Sequence, residues 1–318
     1  MLSKNEVFNS DPNAERLTKL IKSGEVIIFV GSGLSIGLYP PWHELVLDLC
    51  VACGVKPKIS LNGETSVDVL TELAGQAQKA NEQRFLDLLE DRFAQRIHEQ
   101  KKAYQLLMGI KFRSYVTINL DPLLADEKNS RLEYRERQLL FYPYVPTKYM
   151  TSQNLFYIHG YIRPSHRPSC KSIVLTREAF HSAYDADGSI LGTFWDVLLT
   201  EYCVLFIACG LREPEIQIAL KRSLKRRNWM VRQHDMKPPP LFILRPAYFL
   251  EDGALKLTNR DTVREKQEQV KYTSLDINIV RYNKKDQSHS GLLEVLEFWN
   301  PPPAINEYCI NNEAWYKL

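Results

Sequence analysis

No stretch of this 318-residue sequence stays apolar for long. Its longest strongly apolar runs, such as Val26–Val30 and Val204–Leu211, reach about six to eight residues, against the ~20 that a membrane-spanning helix needs. A bias of charge is also missing: 41 Lys and Arg face 38 Asp and Glu, a net charge of +3. That balance excludes a histone-like or tail-driven nucleic-acid binder. The opening MLSKNEVFNSDPN has no apolar signal core, so the expected address is cytoplasmic. Cysteine is sparse, with six in the chain. In a cytoplasmic chain of this size they do not suggest a disulfide framework. Cys50 and Cys53 form a single CxxC inside WHELVLDLCVACGV, which reads as an amphipathic helix stopped at Gly54. A tetrahedral metal site needs about four ligands, and no second CxxC supplies them, so these read as core thiols and no metal is expected. Neither a GxGxxG nor a Walker loop occurs, and there is no internal repeat or low-complexity tract.

What is present is ordinary globular composition, 44% hydrophobic and 25% charged. PNAERLTKLIKS (12–23) predicts a helix with Gly24 as its stop. EVIIFV follows as a buried, β-branched strand. SYVTIN (114–119), NLFYIH (154–159), YCVLFIA (202–208), LFIL (241–244) and LDINIVRY (275–282) also read as strands. Helical patterns fill 177–184, 188–200, 213–229 and 290–299. Strands alternating with helices predict an α/β fold, a Rossmann-like doubly wound parallel sheet. The helical block at 60–110 is too long for a simple crossover and reads as an inserted subdomain capping a cleft. The expected organisation is one domain over 1–318, with this insertion and a C-terminal tail at 301–318.

Four strand ends carry chemistry. In VIIFVGSGLS, the residues Gly31, Ser32, Gly33 and Ser35 follow a strand; glycines there allow close backbone approach, and a following helix N-terminus would favour a phosphate. An ordinary strand-to-helix turn has the same composition. Asn119 and Asp121 end SYVTIN and could orient a ribose, a carboxamide or a water; an Asp-Pro turn is the plainer reading. His159 ends NLFYIH and is the best general-base candidate, although a lone strand-end histidine is often structural. In FIACGLREP, Gly210 again permits close approach, with Leu211 beside it and Pro214 near a helix start. Arg245, in ILRP, marks a fifth strand end where an adenosine half could rest.

In this order, the blocks resemble the sirtuin superfamily, and within it the divergent sirtuin-like domains of bacterial anti-phage defence proteins. GSGLS resembles that family's GAGxS, TINLD its TxNxD, and IHG its catalytic His-Gly. FIACGLREPEI resembles the late Gly-rich block of the divergent branch. The likeness spans about residues 15–300. It implies NAD as substrate, cleaved at the nicotinamide–ribose bond to nicotinamide and ADP-ribose. It also implies roles: the GSGLS turn on the pyrophosphate, Asn119 on the ribose or attacking water, Asp121 on the carboxamide, His159 as general base. Gly210 and Leu211 would run their backbone along the ligand.

Departures from the family bear on the activity. Deacylating sirtuins carry a four-cysteine zinc module between the His-Gly block and the late Gly block. This chain has only Cys170, Cys203 and Cys209 there. The deacylase GxPDFR segment is replaced by Gly37-Leu38-Tyr39-Pro40-Pro41-Trp42. Both losses fit a defence-type NAD hydrolase better than a protein deacylase; a non-catalytic NAD or ADP-ribose binding scaffold is the third reading. Little chain remains for a sensor, so control in trans is expected, through homo-oligomers or a separate ATPase or Argonaute-like protein. The basic run Lys221–Arg227, expected to end a helix, and the tail are the candidate contact surfaces; direct nucleic-acid binding is not expected.

Overall fold

The computed structural model describes residues 3, 7–8, 11–57, 66–93, 102–130, 136–162, 168–185, 188–247, 259–283 and 290–300. Asp11 starts the first helix: its Oδ1 accepts from the Asn13 amide at 2.8 Å, and Pro12 pre-sets the first turn of α1, Pro12–Lys22. Gly24, at φ +71°, turns the chain into β1, Val26–Val30. Every residue of β1 is buried, as a central strand covered on both faces requires. Its side chains alternate between two apolar layers. Val26, Ile28 and Val30 pack with Leu17, Leu49 and Val295. Ile27 and Phe29 pack on the opposite face, where the Phe29 ring lies 5.1 Å from Trp195.

Four helices follow: α2 (Trp42–Ala52), α3 (Val67–Ala80), α4 (Glu82–Phe93) and α5 (Lys102–Gly109). Next come β2 (Ser114–Thr117), α6 (Leu123–Ser130), β3 (Leu139–Phe141), β4 (Leu155–Tyr157), α7 (Arg177–Tyr184) and α8 (Ile190–Glu201). The chain continues through β5 (Cys203–Ile207), α9 (Pro214–His234), β6 (Leu241–Ala247), α10 (Asn259–Thr273), β7 (Ile277–Asn283) and α11 (Ser290–Trp299). The strands form one sheet in the order β3-β4-β2-β1-β5-β6-β7, and all neighbours run parallel. This is a Rossmann-like doubly wound α/β fold. Strand order reverses between β1 and β5, and a crevice at that switch point is where such sheets take ligands. Among the described residues no helix is long and apolar enough to cross a membrane.

Two expectations are corrected here. No α-helix starts directly behind GSG: Ser32–Ser35 form a single 3₁₀ turn, and α2 begins only at Trp42. Pro40 and Pro41 cause the delay, since each lacks an N–H and holds its predecessor extended. Nor does the basic run end its helix. α9 continues to His234 and is closed by Asp235 in the left-handed region at φ 51°. Within the run, Arg227 is only 3% exposed and bonds Asp276 and the Leu199 and Pro239 carbonyls. Arg222 holds Asp196 and the Gly192 carbonyl. Both arginines bind neighbouring elements of their own domain, Arg227 from a buried position, while Lys221, Arg222, Lys225 and Arg226 remain exposed. Of the expected insertion at 60–110, α3, α4 and α5 lie within the described residues, while 60–65 and 94–101 lie outside them, as does the tail at 301–318.

Candidate functional site

The register of the sheet assembles the site. Thr117 pairs with both Val30 and Tyr157, and Val30 pairs with Ile207, so four strands end on one row. Asn119 and His159 each stand two residues past a paired position, and emerge side by side on the C-terminal edge. A cleft of about 900 Å³ opens along that edge, within the range of cofactor sites. Ser32, Gly33, Ser35, Asn119, Asp121, His159, Gly210 and Arg245 all line it. Gly31 and Leu211 do not. Leu211, at φ 48° and 1% exposed, is buried in the apolar layer that also holds Phe29.

Gly31 and Gly33 serve packing. A Cβ on Gly31 would stand 2.4 Å from the Cys209 Cβ, and one on Gly33 2.6 Å from the Ala208 carbonyl oxygen. The turn is therefore pressed onto the loop after β5 on one side, while Ser32 and Gly33 stay exposed along the cleft. Three of its amides bond within the protein: Gly31 N donates to Ile207 O at 3.0 Å, Gly33 N to Ala208 O at 2.9 Å, and Leu34 N to Gly31 O at 3.3 Å.

Beneath the cleft lies a buried polar chain. Ser35 Oγ donates to Asp121 Oδ2 at 2.7 Å, which commits its proton, so Tyr104, also 2.7 Å away, donates to Ser35. Burial, and then the Asp121 charge, hold the Tyr104 phenol well above its ordinary pKa, so it remains a donor. Asp121 Oδ1 accepts the Leu123 amide at 3.2 Å, at the start of α6. Asn119 Nδ2 donates to Ser35 Oγ at 3.2 Å and to Gly31 O at 3.4 Å. Its Oδ1 is buried with no hydrogen-bond partner. Tyr39 Oη, Trp42 Nε1 and Arg245 Nε are in the same condition, and all four residues line the cleft. Unpaired buried polar atoms are rare in folded proteins. Here an acceptor and several donors sit at one cavity, which fits a ligand rich in hydroxyl, amide and phosphate groups.

His159 is sealed by aromatic rings, edge-on to Phe180 at 5.1 Å and to Tyr184 at 5.9 Å. Burial pushes its pKa from 6.5 down to about 3, so the ring is neutral near pH 7. Its Nε2 lies 2.7 Å from Tyr184 Oη, which also accepts from Trp195 Nε1 at 3.2 Å. With the Tyr184 hydroxyl donating to His159 Nε2, the imidazole proton lies on Nδ1. The other tautomer, with Nδ1 bare, leaves the Tyr184 proton unpaired.

The far end of the cleft is cationic, and most of it escaped the sequence reading. Arg212, Arg264 and Lys271 line it beside Arg245, with Glu213 and Glu268. Glu268 bonds Arg245 and, at 3.1 Å, Arg281. Burial alone would raise the Glu268 carboxyl, but these arginines outweigh it and hold the pKa below its ordinary value. Lys271 lies on α10, a segment so polar that no apolar period marks it as a helix. CxxC sits away from the cleft lining: Cys50 Sγ and Cys53 Sγ face the carbonyls of Leu73 and Asn81 at 3.7 and 3.6 Å.

No curated protein matches the chain. Its structure aligns with one from work on the mechanism and regulation of Sir2 enzymes, at 12% identity and a TM-score of 0.41, over 89% of this chain and 95% of the other. It also aligns with a mutant Sir2 homologue in complex with 2′-O-acetyl ADP ribose, at 10% identity and a TM-score of 0.36, over 91% and 99%. The model of the SIR2-like domain matches residues 113–271, half of the sequence, a span that holds Asn119, His159, Gly210 and Lys271. The chain belongs to the SIR2-like domain family.

Proposed function

We propose that the protein is an NAD hydrolase that cleaves the nicotinamide–ribose bond to give nicotinamide and ADP-ribose. The observation that carries this reading is the buried, unpaired Oδ1 of Asn119 at a cleft that His159 and Asp121 also line. Nicotinamide leaves as a neutral amine, so the bond needs little acid assistance. The protein's tasks are to hold the ribose, exclude bulk water and place one nucleophile. Asn119 Oδ1 can accept from a ribose hydroxyl or from the attacking water. In this reading His159 takes the proton on Nε2 once Tyr184 Oη turns away from it; general-base help of this kind is worth about 10²–10⁴ in rate. Asp121, with both oxygens engaged, fixes Ser35 and through it Asn119. The anti-phage role implied by the motif resemblance, with a separate ATPase or Argonaute-like partner, belongs to this same proposal.

A second reading, a non-catalytic NAD or ADP-ribose binding scaffold, is favoured by the His159–Tyr184 contact, which occupies the nitrogen lone pair of the favoured tautomer. Incubation with NAD, with and without an acylated peptide, separates the possibilities. Free nicotinamide without peptide supports the hydrolase, release only with peptide supports a deacylase, and tight binding without release supports the scaffold. In a hydrolase, Asn119→Ala and His159→Gln should each reduce nicotinamide release by at least a hundredfold while circular dichroism is unchanged. Near-normal turnover in either variant would remove that residue from the mechanism.

A further inference from the structure

We propose that Tyr184 is a positioning residue for His159, and that its hydroxyl keeps the imidazole in a form that takes no proton until their hydrogen bond is given up. The effect of this hydroxyl on rate rests on the hydrolase reading above; its effect on the ring does not.

Helix α7 brings two aromatic rings against His159, one turn apart. Phe180 stands edge-on at 5.1 Å and Tyr184 edge-on at 5.9 Å, and the two are stacked on each other with an interplanar angle of 18°. Packing against the imidazole needs no hydroxyl, as Phe180 shows from the same face of the helix. Tyr184 nonetheless carries one into the buried apolar layer that also holds Phe29, Phe194 and Leu198. A polar group in such a place costs free energy unless it is bonded. This one has two bonds: it accepts from Trp195 Nε1 at 3.2 Å and lies 2.7 Å from His159 Nε2.

The direction of the second bond sets the state of the ring. With the indole donating to Oη, the hydroxyl proton points at Nε2. A neutral imidazole has one acceptor nitrogen, and here Tyr184 fills it while Nδ1 carries the ring proton. Burial holds both partners in these forms: it lowers the His159 pKa to about 3 and raises the Tyr184 phenol far above its ordinary value. Transfer of the phenol proton to the ring is thereby disfavoured, and the lone pair is freed by movement instead. His159 lines the cleft and Tyr184 does not, so the hydroxyl acts on the proposed base from outside the space a ligand would fill. Tyr184 is the last residue of α7, with its carbonyl held by Ser189 Oγ at 2.8 Å and the chain turning at Gly188, φ +74°. A shift of this one helix end would uncap Nε2.

Tyr184→Phe keeps the ring and removes the bond. In ¹⁵N spectra of the full chain, His159 should be Nδ1-protonated in the wild type, and an Nε2-protonated form should grow in for Tyr184→Phe at the same pH. With NAD as substrate, kcat of the variant should rise about tenfold, the scale of one hydrogen bond released, at unchanged KM. The variant leaves Trp195 Nε1 without its partner, so melting curves accompany it; if it does not fold, the wild-type spectrum alone decides. An Nε2-protonated ring in the wild type, an unchanged tautomer in folded Tyr184→Phe, or an unchanged or lower kcat in an active enzyme would each overturn the proposal. A tautomer that shifts in Tyr184→Phe while neither protein releases nicotinamide would uphold the hold of Tyr184 on His159 and sink the hydrolase reading instead.

Discussion

His159 is held neutral by its surroundings, and that has two measurable consequences. Between pH ~6.5 and ~3 the unfolded chain binds a proton here that the native chain refuses. Native stability must therefore fall as pH drops through that window, by about 1.4 kcal/mol per unit for a group fully titrating in the unfolded state. In a series of urea midpoints, His159→Gln should show a shallower acid slope than the wild type between pH 6 and 4. Equal slopes would mean that the imidazole protonates in place. The tautomer is accessible as well: ¹⁵N spectra should show the Nδ1-protonated neutral ring down to about pH 4. The residue types at Asn119 and His159 were legible as strand-end chemistry because sequence displays them directly. The hydroxyl of Tyr184 was not, since it lies 25 positions away in a helix whose pattern reports only an apolar face. Its effect on the tautomer needs three-dimensional contact with Trp195 and cannot be read from spacing.

Among the elements, β1, β5 and α11 were legible because their apolar runs or periods are strong, and α7 and α11 keep their expected boundaries. β3 has only three residues on the sheet edge, and α10 sets only Val263, Val270 and Tyr272 among polar residues, so neither carries a clear period. The glycines of the first turn show a different limit. Sequence marks them as permissive backbone without saying what takes advantage of it. Here the loop after β5 does, with Ala208 and Leu211 both in left-handed conformations at φ 54° and 48°. Gly33→Ala would place a methyl 2.6 Å from the Ala208 oxygen. Overpacking of this kind costs typically ~1–3 kcal/mol. The variant should melt several degrees lower and bind NAD less tightly, because the two loops form adjacent walls of one cleft. Unchanged melting would show that the β5 loop is free to yield.

For the molecule as a whole, the proposed control in trans predicts that activity follows assembly. Exposed Ile218, Trp229, Val231 and Met236 on and just after α9 offer apolar surface that a partner or a second copy could cover. Sedimentation of the chain alone and with its genomic neighbour, alongside nicotinamide release in each state, checks this. Specific activity should rise as larger species form. A monomer that turns over at full rate, indifferent to concentration and neighbour, would rule control by assembly out. Neither the sequence nor the single chain carries the partner's identity, because complementarity belongs to two surfaces.

The strand order also governs when the site can exist during synthesis. β1, the central strand, is made first, yet one of its neighbours is β5, and the cationic wall waits for β6 and α10. Contacts this distant along the chain close late and slowly. On a ribosome adding about 5–20 residues per second, the cleft stays without one of its walls until most of the polypeptide has emerged. If the cleft destroys NAD, a nascent or prematurely terminated fragment is harmless, and only a finished chain is a hazard to the cell that makes it.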